Sequence, residues 1–298
     1  MARVALDAFL SGHSTQEKPL LVAMEPLASR VGGMDFGVMQ SDPANWASCL
    51  SKTGRLLNLS GLILGFDHSL SLATFGAEVE SGDAAQAKNV QCADDQRSTA
   101  LEAFNRITQT ERAHYGCMAC LSGPIGLAQT LYADIGRAGD LKQTMVELAE
   151  AFCKSRPDLL IFREGAALGN TAIGMPERKV YNTLKNMASY FNVPLAIYLE
   201  QYDSQLLPDL AKLKVNFVLL GADKNGAPPE LNSVRELAAN VTGVGLPLPF
   251  NDPERAVALA TEYETQLSGV NYLYTSMQEL TRDTDLEKAR MLISTLQH

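Results

Sequence analysis

The chain has no apolar run approaching the eighteen or so residues needed to cross a bilayer, so no transmembrane helix is expected. It also lacks a cluster of Lys and Arg. With a formal net charge of −9, this disfavours nucleic acid and anionic membrane as partners, since both demand a basic patch. The five cysteines, at 49, 92, 117, 120 and 153, are odd in number and scattered, which excludes a regular disulfide framework and makes reduced thiols the expectation. The opening stretch "MARVALDAFLSGHSTQEK" is interrupted by Asp7 and has neither a long apolar core nor a small-residue cleavage site. A cytoplasmic location is therefore expected, with a small molecule or another protein as partner. Phosphate loops are missing too. Gly32 and Gly33 have the wrong spacing for a dinucleotide fingerprint, and no Gly-Lys-Ser/Thr motif occurs.

What is present is an alternation. The 298 residues are 46% hydrophobic and 20% charged, the profile of a chain that can bury a full core. Short apolar runs rich in β-formers appear at residues 19–25, 60–66, 115–123, 158–164, 194–200, 215–222, 241–248 and 270–276, separated by segments of helical period. Asp42 before Pro43 and Asp252 before Pro253 are helix starts, each an N-cap followed by proline at the first helical position. Eight strands alternating with helices in slightly under 300 residues predict a single (β/α)8 barrel over 1–298, with residues 1–18 as an N-terminal helical extension. A doubly wound open sheet shares the alternation, but the expected phosphate loop after its first strand is lacking.

Barrel chemistry sits at the C-terminal ends of the strands. Those ends carry Glu25, Asp67 with His68, Ser122 to Pro124, Glu164, Glu200, Asp223, Pro249 to Asn251, and Ser276 to Gln278. Carboxylates recur among them, at Glu25, Asp67, Glu164, Glu200 and Asp223, and a carboxyl group enclosed by apolar strands is prepared for proton transfer or metal binding. The competing reading of any one of them is an N-cap for the helix that follows. Gly123 and Pro124 form a strand-to-helix turn where backbone N–H groups can approach a ligand. "HYGCMAC" suggests a soft-metal site through His114, Cys117 and Cys120, but residues three apart on a strand face opposite ways, which favours buried thiols. The same rule separates Asp67 from its neighbour His68: only one of the two is expected to face a pocket.

In order along the chain, "GLILGFDHSLSLATFGAEVE", "CLSGPIGLAQTLY", "RPDLLIFREGAAL", "VPLAIYLE" and "NYLYTSMQELTRDTDLEKARMLI" resemble segments of the uroporphyrinogen decarboxylase superfamily, which includes the corrinoid-dependent methyltransferases. The resemblance implies the barrel, puts Asp67 on the superfamily's pocket aspartate and moves His68 to the rim. The decarboxylase's paired arginines after strand 1 have no counterpart beyond Arg30, so binding a substrate with eight carboxylates is electrostatically unfavourable. The methyltransferase branch holds zinc by His-x-Cys and a later Cys, where this chain has Tyr198, Glu200 and Gln278.

The implied function is methyl transfer between a small methylated substrate and the corrinoid of a partner protein, with no covalently bound cofactor. Asp67, Glu164 and Glu200 are the expected catalytic residues, and Glu164 and Glu200 the candidates for binding a metal through oxygen. Glu25, His68, Gly123, Pro124, Tyr198, Asp223 and Gln278 are expected to line the substrate site. The alternatives are a decarboxylase or lyase, with Arg163 or Arg30 as the nearby cation, and a non-catalytic barrel that binds tetrapyrrole or corrinoid. A homodimer is left open.

Overall fold

The computed structural model describes residues 2–74 and 94–297. The Gly-x-Glu-Val element at 76–79, and Cys92, lie outside the described residues.

Among the described residues, seven strands form one parallel sheet in sequence order: β1 (Gly61–Leu64), β2 (Gly116–Ser122), β3 (Leu159–Glu164), β4 (Leu195–Tyr202), β5 (Phe217–Asp223), β6 (Gly243–Leu248) and β7 (Tyr272–Ser276). Each strand pairs only with its sequence neighbours, as in Met118 with Leu159 and Leu160 with Leu195. The sheet is curled and flanked by helices, because every parallel connection needs a crossover and helices supply it.

The first expected strand takes a different form. Residues 19–24 make one parallel bridge, Leu20 with Tyr274, rather than a ladder. Pro19 has no N–H to give, and the Leu20 N–H goes to the Ser60 hydroxyl at 3.0 Å. The segment nevertheless bonds on both sides. Ser60 N–H donates to the Leu20 carbonyl at 3.2 Å, and Leu21 N–H to the Tyr274 carbonyl at 2.9 Å. Glu25 does not end a strand: it opens helix α2 (Glu25–Val31), whose start is set by Pro26 in the first turn.

The other helices follow the start signals closely. After α1 (Ala2–Leu10) and α2 come α3 (Phe36–Gln40) and α4 (Pro43–Leu57), the latter capped by the Asp42 side chain on Asn45 N–H at 2.8 Å. Helices α5 (Ser69–Thr74) and α6 (Asp94–Glu111) lie between β1 and β2, and α7 (Pro124–Tyr132) and α8 (Lys142–Lys154) between β2 and β3. Helices α9 (Ala166–Gly169) and α10 (Met175–Tyr190) precede β4, and α11 (Leu231–Ala238) precedes β6. The Asp252 side chain caps α12 (Pro253–Gln266), and that of Asp285 caps α13 (Leu286–Leu296). None of the helices among the described residues is long and apolar enough to cross a membrane.

Two apolar clusters divide the core. The larger lies between the outer face of the sheet and the helices; the smaller fills the concave side with Ile63, Met118, Ile161, Ala196, Leu219 and Leu273. Leu6 and Phe9 of α1 join this inner cluster, contributing roughly 1.5–3 kcal/mol each by burial. Arg3 grips Asp158 with two bonds of 2.8 Å and the Tyr115 carbonyl at 2.7 Å, just ahead of β3 and β2. The helix therefore plugs the N-terminal end of the sheet. The opposite end stays open.

Candidate functional site

Period-two alternation decides which strand-end side chains meet. On β2 the inward series runs Met118, Cys120, Ser122; on β3 it runs Leu159, Ile161, Arg163; on β4 it runs Ala196, Tyr198, Glu200. The open end of the concave side is accordingly lined by Ser122, Arg163 and Glu200, closed below by Tyr198, whose hydroxyl donates to the Ser276 carbonyl at 3.0 Å.

Arg163 is the centre of this group. Its guanidinium stacks on the Phe66 ring at 4.3 Å, donates to the Phe66 carbonyl and to Glu200 Oε1, and keeps its Nε buried without a partner among the described residues. The other Glu200 oxygen lies 3.6 Å from His68 Nε2, and His68 Nδ1 sits 2.7 Å from the Ser122 hydroxyl. Burial acts to raise the Glu200 pKa, but the His68 hydrogen bond and the Arg163 charge outweigh it and hold the carboxyl down at about 2. Glu200 is thus a fixed carboxylate, still about a third exposed (32%). His68, expected at the rim, thus bridges Ser122 and Glu200. Asp67 follows Phe66 and lies near enough to Glu25 and to Glu279 to raise the pKa of both.

Glu279, three residues past β7, is not among the residues the sequence singles out, although its neighbour Gln278 is. Burial first, then the charge of Glu25, push its carboxyl up to about 8, with Asp67 and Glu200 adding to the rise and Arg163 opposing it. Its Oε1 is buried with no hydrogen-bond partner among the described residues. Beside it opens a cavity of about 420 Å³ bordered by the ends of β5, β6 and β7 and the start of α13. Gln278, Phe250, Met277, Arg255 and Lys288 form parts of its wall.

Besides Glu200, the strand-end carboxylates Glu25, Glu164 and Asp223 are engaged by protein N–H and O–H groups. Glu25 is fully buried and accepts from Trp46 Nε1 at 2.7 Å, Gly65 N at 3.0 Å, Phe66 N at 2.8 Å and Asp67 N at 3.3 Å, so it shapes the loop that presents Asp67 and His68. Burial pushes it up to about 7 against the Gly65, Trp46 and Asp67 N–H donors. Glu164 points to the outer face of the sheet. There it accepts from Ile125 N at 3.1 Å, Gly126 N at 2.6 Å and the Tyr181 hydroxyl at 2.6 Å, with burial again raising it to about 7. The Gly123–Pro124 turn therefore cradles an anion that belongs to the chain: a Cβ on Gly123 would stand 2.1 Å from Glu164 Cδ. Asp223 turns back on its own loop, accepting from Asn225 N and Ala227 N at 2.8 Å.

Glu164 and Glu200 thus face opposite sides of the sheet and do not converge on a metal. No group of three or more His, Cys, Asp or Glu side chains is placed to hold a metal ion among the described residues. A thiolate-held zinc does not fit the positions of Tyr198, Glu200 and Gln278, since a guanidinium already neutralises Glu200 and the Tyr198 hydroxyl is bonded to Ser276. Cys117 packs on the outer face and Cys120 on the inner one; burial pushes the first up to about 12 and raises the second also, so both stay thiols. Arg30 ties α2 to the carbonyls of Arg282 and Thr284.

Comparison with solved structures finds a methyltransferase from Methanosarcina mazei at a TM-score of 0.78 and 14% identity, covering 99% of this chain and 98% of that one. The fold is shared along the whole length. Dihydrodipicolinate synthase DapA-2 from Bacillus anthracis is more distant, at a TM-score of 0.47 and 9% identity over 94% of this chain and 81% of the other. Phosphonopyruvate hydrolase, in a complex with oxalate and magnesium, gives 0.48 and 13% over 99% and 84%. No protein-family model matches the sequence, and no curated protein matches it.

Proposed function

We propose that this chain is an enzyme of methyl transfer, built on a (β/α)8 barrel in which residues 19–24 stand as the eighth strand between β1 and β7. The observation that carries the reading is the full-length likeness of its fold to a methyltransferase, and the charged group at the open strand ends supports it. Residues here are arranged to hold a polar small molecule at a barrel mouth, where this fold places its chemistry. Arg163 and His68 fix Glu200 as an anion that orients a donor on the substrate. Asp67, presented by the loop that Glu25 secures, adds a second acid at the end of β1.

The methyl carrier in this reading is the corrinoid of a partner protein, taken as co-substrate, whose cobalt exchanges the methyl group. His68, 42% exposed in its side chain, and Glu200 leave the mouth accessible to such a carrier. Incubating the protein with a reduced corrinoid protein and a panel of small methylated compounds tests this: a change in the cobalt absorption spectrum that depends on the chain is expected. Failure of every compound to change the spectrum overturns the reading. Carbon dioxide released from a panel of small acids would replace it by decarboxylation.

A further inference from the structure

The cavity beside β5, β6 and β7 is the second feature of the open end, and Glu279 is the wall it shares with the charged group around Arg163. Its volume, about 420 Å³, falls in the range of small-molecule sites. Pro249, Phe250, Met277 and Leu280 give it apolar surface for a compact body, while Asn251 and Gln278 offer hydrogen bonds. Its ionic groups are mixed in sign: Arg255 and Lys288 are opposed by Asp283 and Asp285, so the walls call for no net charge on the ligand. Glu279 lines this space, and one oxygen of its carboxyl is buried in the wall with no hydrogen-bond partner among the described residues.

We infer that this cavity binds the methyl-bearing substrate, a neutral methyl ether or methyl thioether with an apolar body, and that Glu279 donates a proton to the heteroatom as the methyl group leaves. The inference rests on the methyl-transfer reading for its second half only. In the step, the bond from the methyl carbon to oxygen or sulfur breaks and its electron pair stays on that heteroatom, which takes the Glu279 proton. The new bond to carbon draws its pair from the nucleophilic acceptor, the reduced corrinoid as co-substrate, so no further oxidant or reductant is consumed. Glu279 ends as a carboxylate facing Arg163.

The electrostatics agree with that role. Glu25, Asp67 and Glu200 surround Glu279 on the barrel side, and their negative charge with burial keeps its proton on at neutral pH, while Arg163 is the cation that receives the product carboxylate. A methylammonium compound would need an anion at this position and would leave as a neutral amine without a proton. It is the contrasting class.

The test has two arms. In the first, binding of aryl methyl ethers, aryl methyl thioethers and tetramethylammonium is followed by ligand-observed NMR on wild type and on Ala222→Leu, which adds bulk to the cavity wall. The ethers or thioethers should bind wild type and be lost in the variant; absence of binding, or binding that Ala222→Leu leaves unchanged, overturns the cavity assignment whether or not methyl transfer occurs. In the second, methyl transfer to a reduced corrinoid protein is compared for aryl methyl ethers with poor and good leaving groups. Glu279→Gln should slow the poor leaving group by about 10²–10⁴-fold, the usual worth of a general acid, and the nitrophenyl ether far less. Glu279→Asp, which keeps a transferable proton, should recover part of the rate. Equal slowing of both ethers overturns the proton-donor role, and binding without any transfer by wild type overturns the methyl-transfer reading and the proton step with it.

Discussion

Replacing Glu164 by alanine removes the acceptor of three hydrogen bonds from a site with no exposure at all. Two of the donors, Ile125 N–H and Gly126 N–H, are first-turn groups of α7, whose N-cap residue Gly123 has no side chain to satisfy them. The third is the Tyr181 hydroxyl of α10, likewise buried. Each donor left unpaired costs about 1–3 kcal/mol, and because water entering the vacated space relieves part of this, the sum is roughly 3–6 kcal/mol. That is a large part of the roughly 5–15 kcal/mol that holds an ordinary domain together. Urea unfolding followed by tryptophan fluorescence measures it, and Tyr181→Phe, which removes one partner, should cost only about 1 kcal/mol. The double variant should cost less than the sum of the two, since they share a bond. Should Glu164→Ala unfold within about 1 kcal/mol of wild type yet lose turnover, its place would be in the chemistry and the structural account would be refuted.

Acid unfolding reads the Arg163–Glu200 pair. The Glu200 pKa is depressed from 4.5 to about 2, so its stabilisation is present above 4.5 and is lost as pH falls from 4.5 towards 2. At about 1.4 kcal/mol per tenfold this bounds the effect near 3 kcal/mol, and one-third exposure reduces it to roughly 1–2 kcal/mol. In Arg163→Gln that part of the pH dependence should shrink, as followed by urea midpoints at stepped pH. Gly123→Ala should destabilise by more than about 1–3 kcal/mol in thermal melts, because the added methyl would overlap the Glu164 carboxyl and overpack a closed site. Leu6→Ala should cost about 2–5 kcal/mol by opening a void in the inner cluster, without altering ligand binding at the far end of the strands.

Much of the architecture is legible in the residues. The apolar runs at 60–66, 115–123 and 158–164 contain β1, β2 and β3, and the Asp-Pro pairs at 42–43 and 252–253 do begin α4 and α12, because capping and proline geometry act locally. The exception is instructive. Residues 19–25 have the composition of a strand, but Pro19 and the competing Ser60 hydroxyl leave one bridge, and Pro26 starts a helix at Glu25.

The site is legible only as a set of strand ends. Parallel strands are apolar on both faces, so the pattern of "DLLIFRE" does not say whether Arg163 or Glu164 faces inward. A shift of one residue exchanges them. Glu279 leaves even less trace, lying in an irregular stretch with no period to place it.

From its own residues, then, the chain determined that strands and helices alternate, where its helices begin, and that acids gather at the strand ends, since each of these follows from local propensity and capping. Tertiary structure alone decided which acid serves which purpose. It turned Glu164 outward to close a helix, set Glu25 beneath a loop, joined Arg163 to Glu200 and His68, and brought Glu279 beside them, because strand register and long-range burial assign each carboxylate its face and its partners.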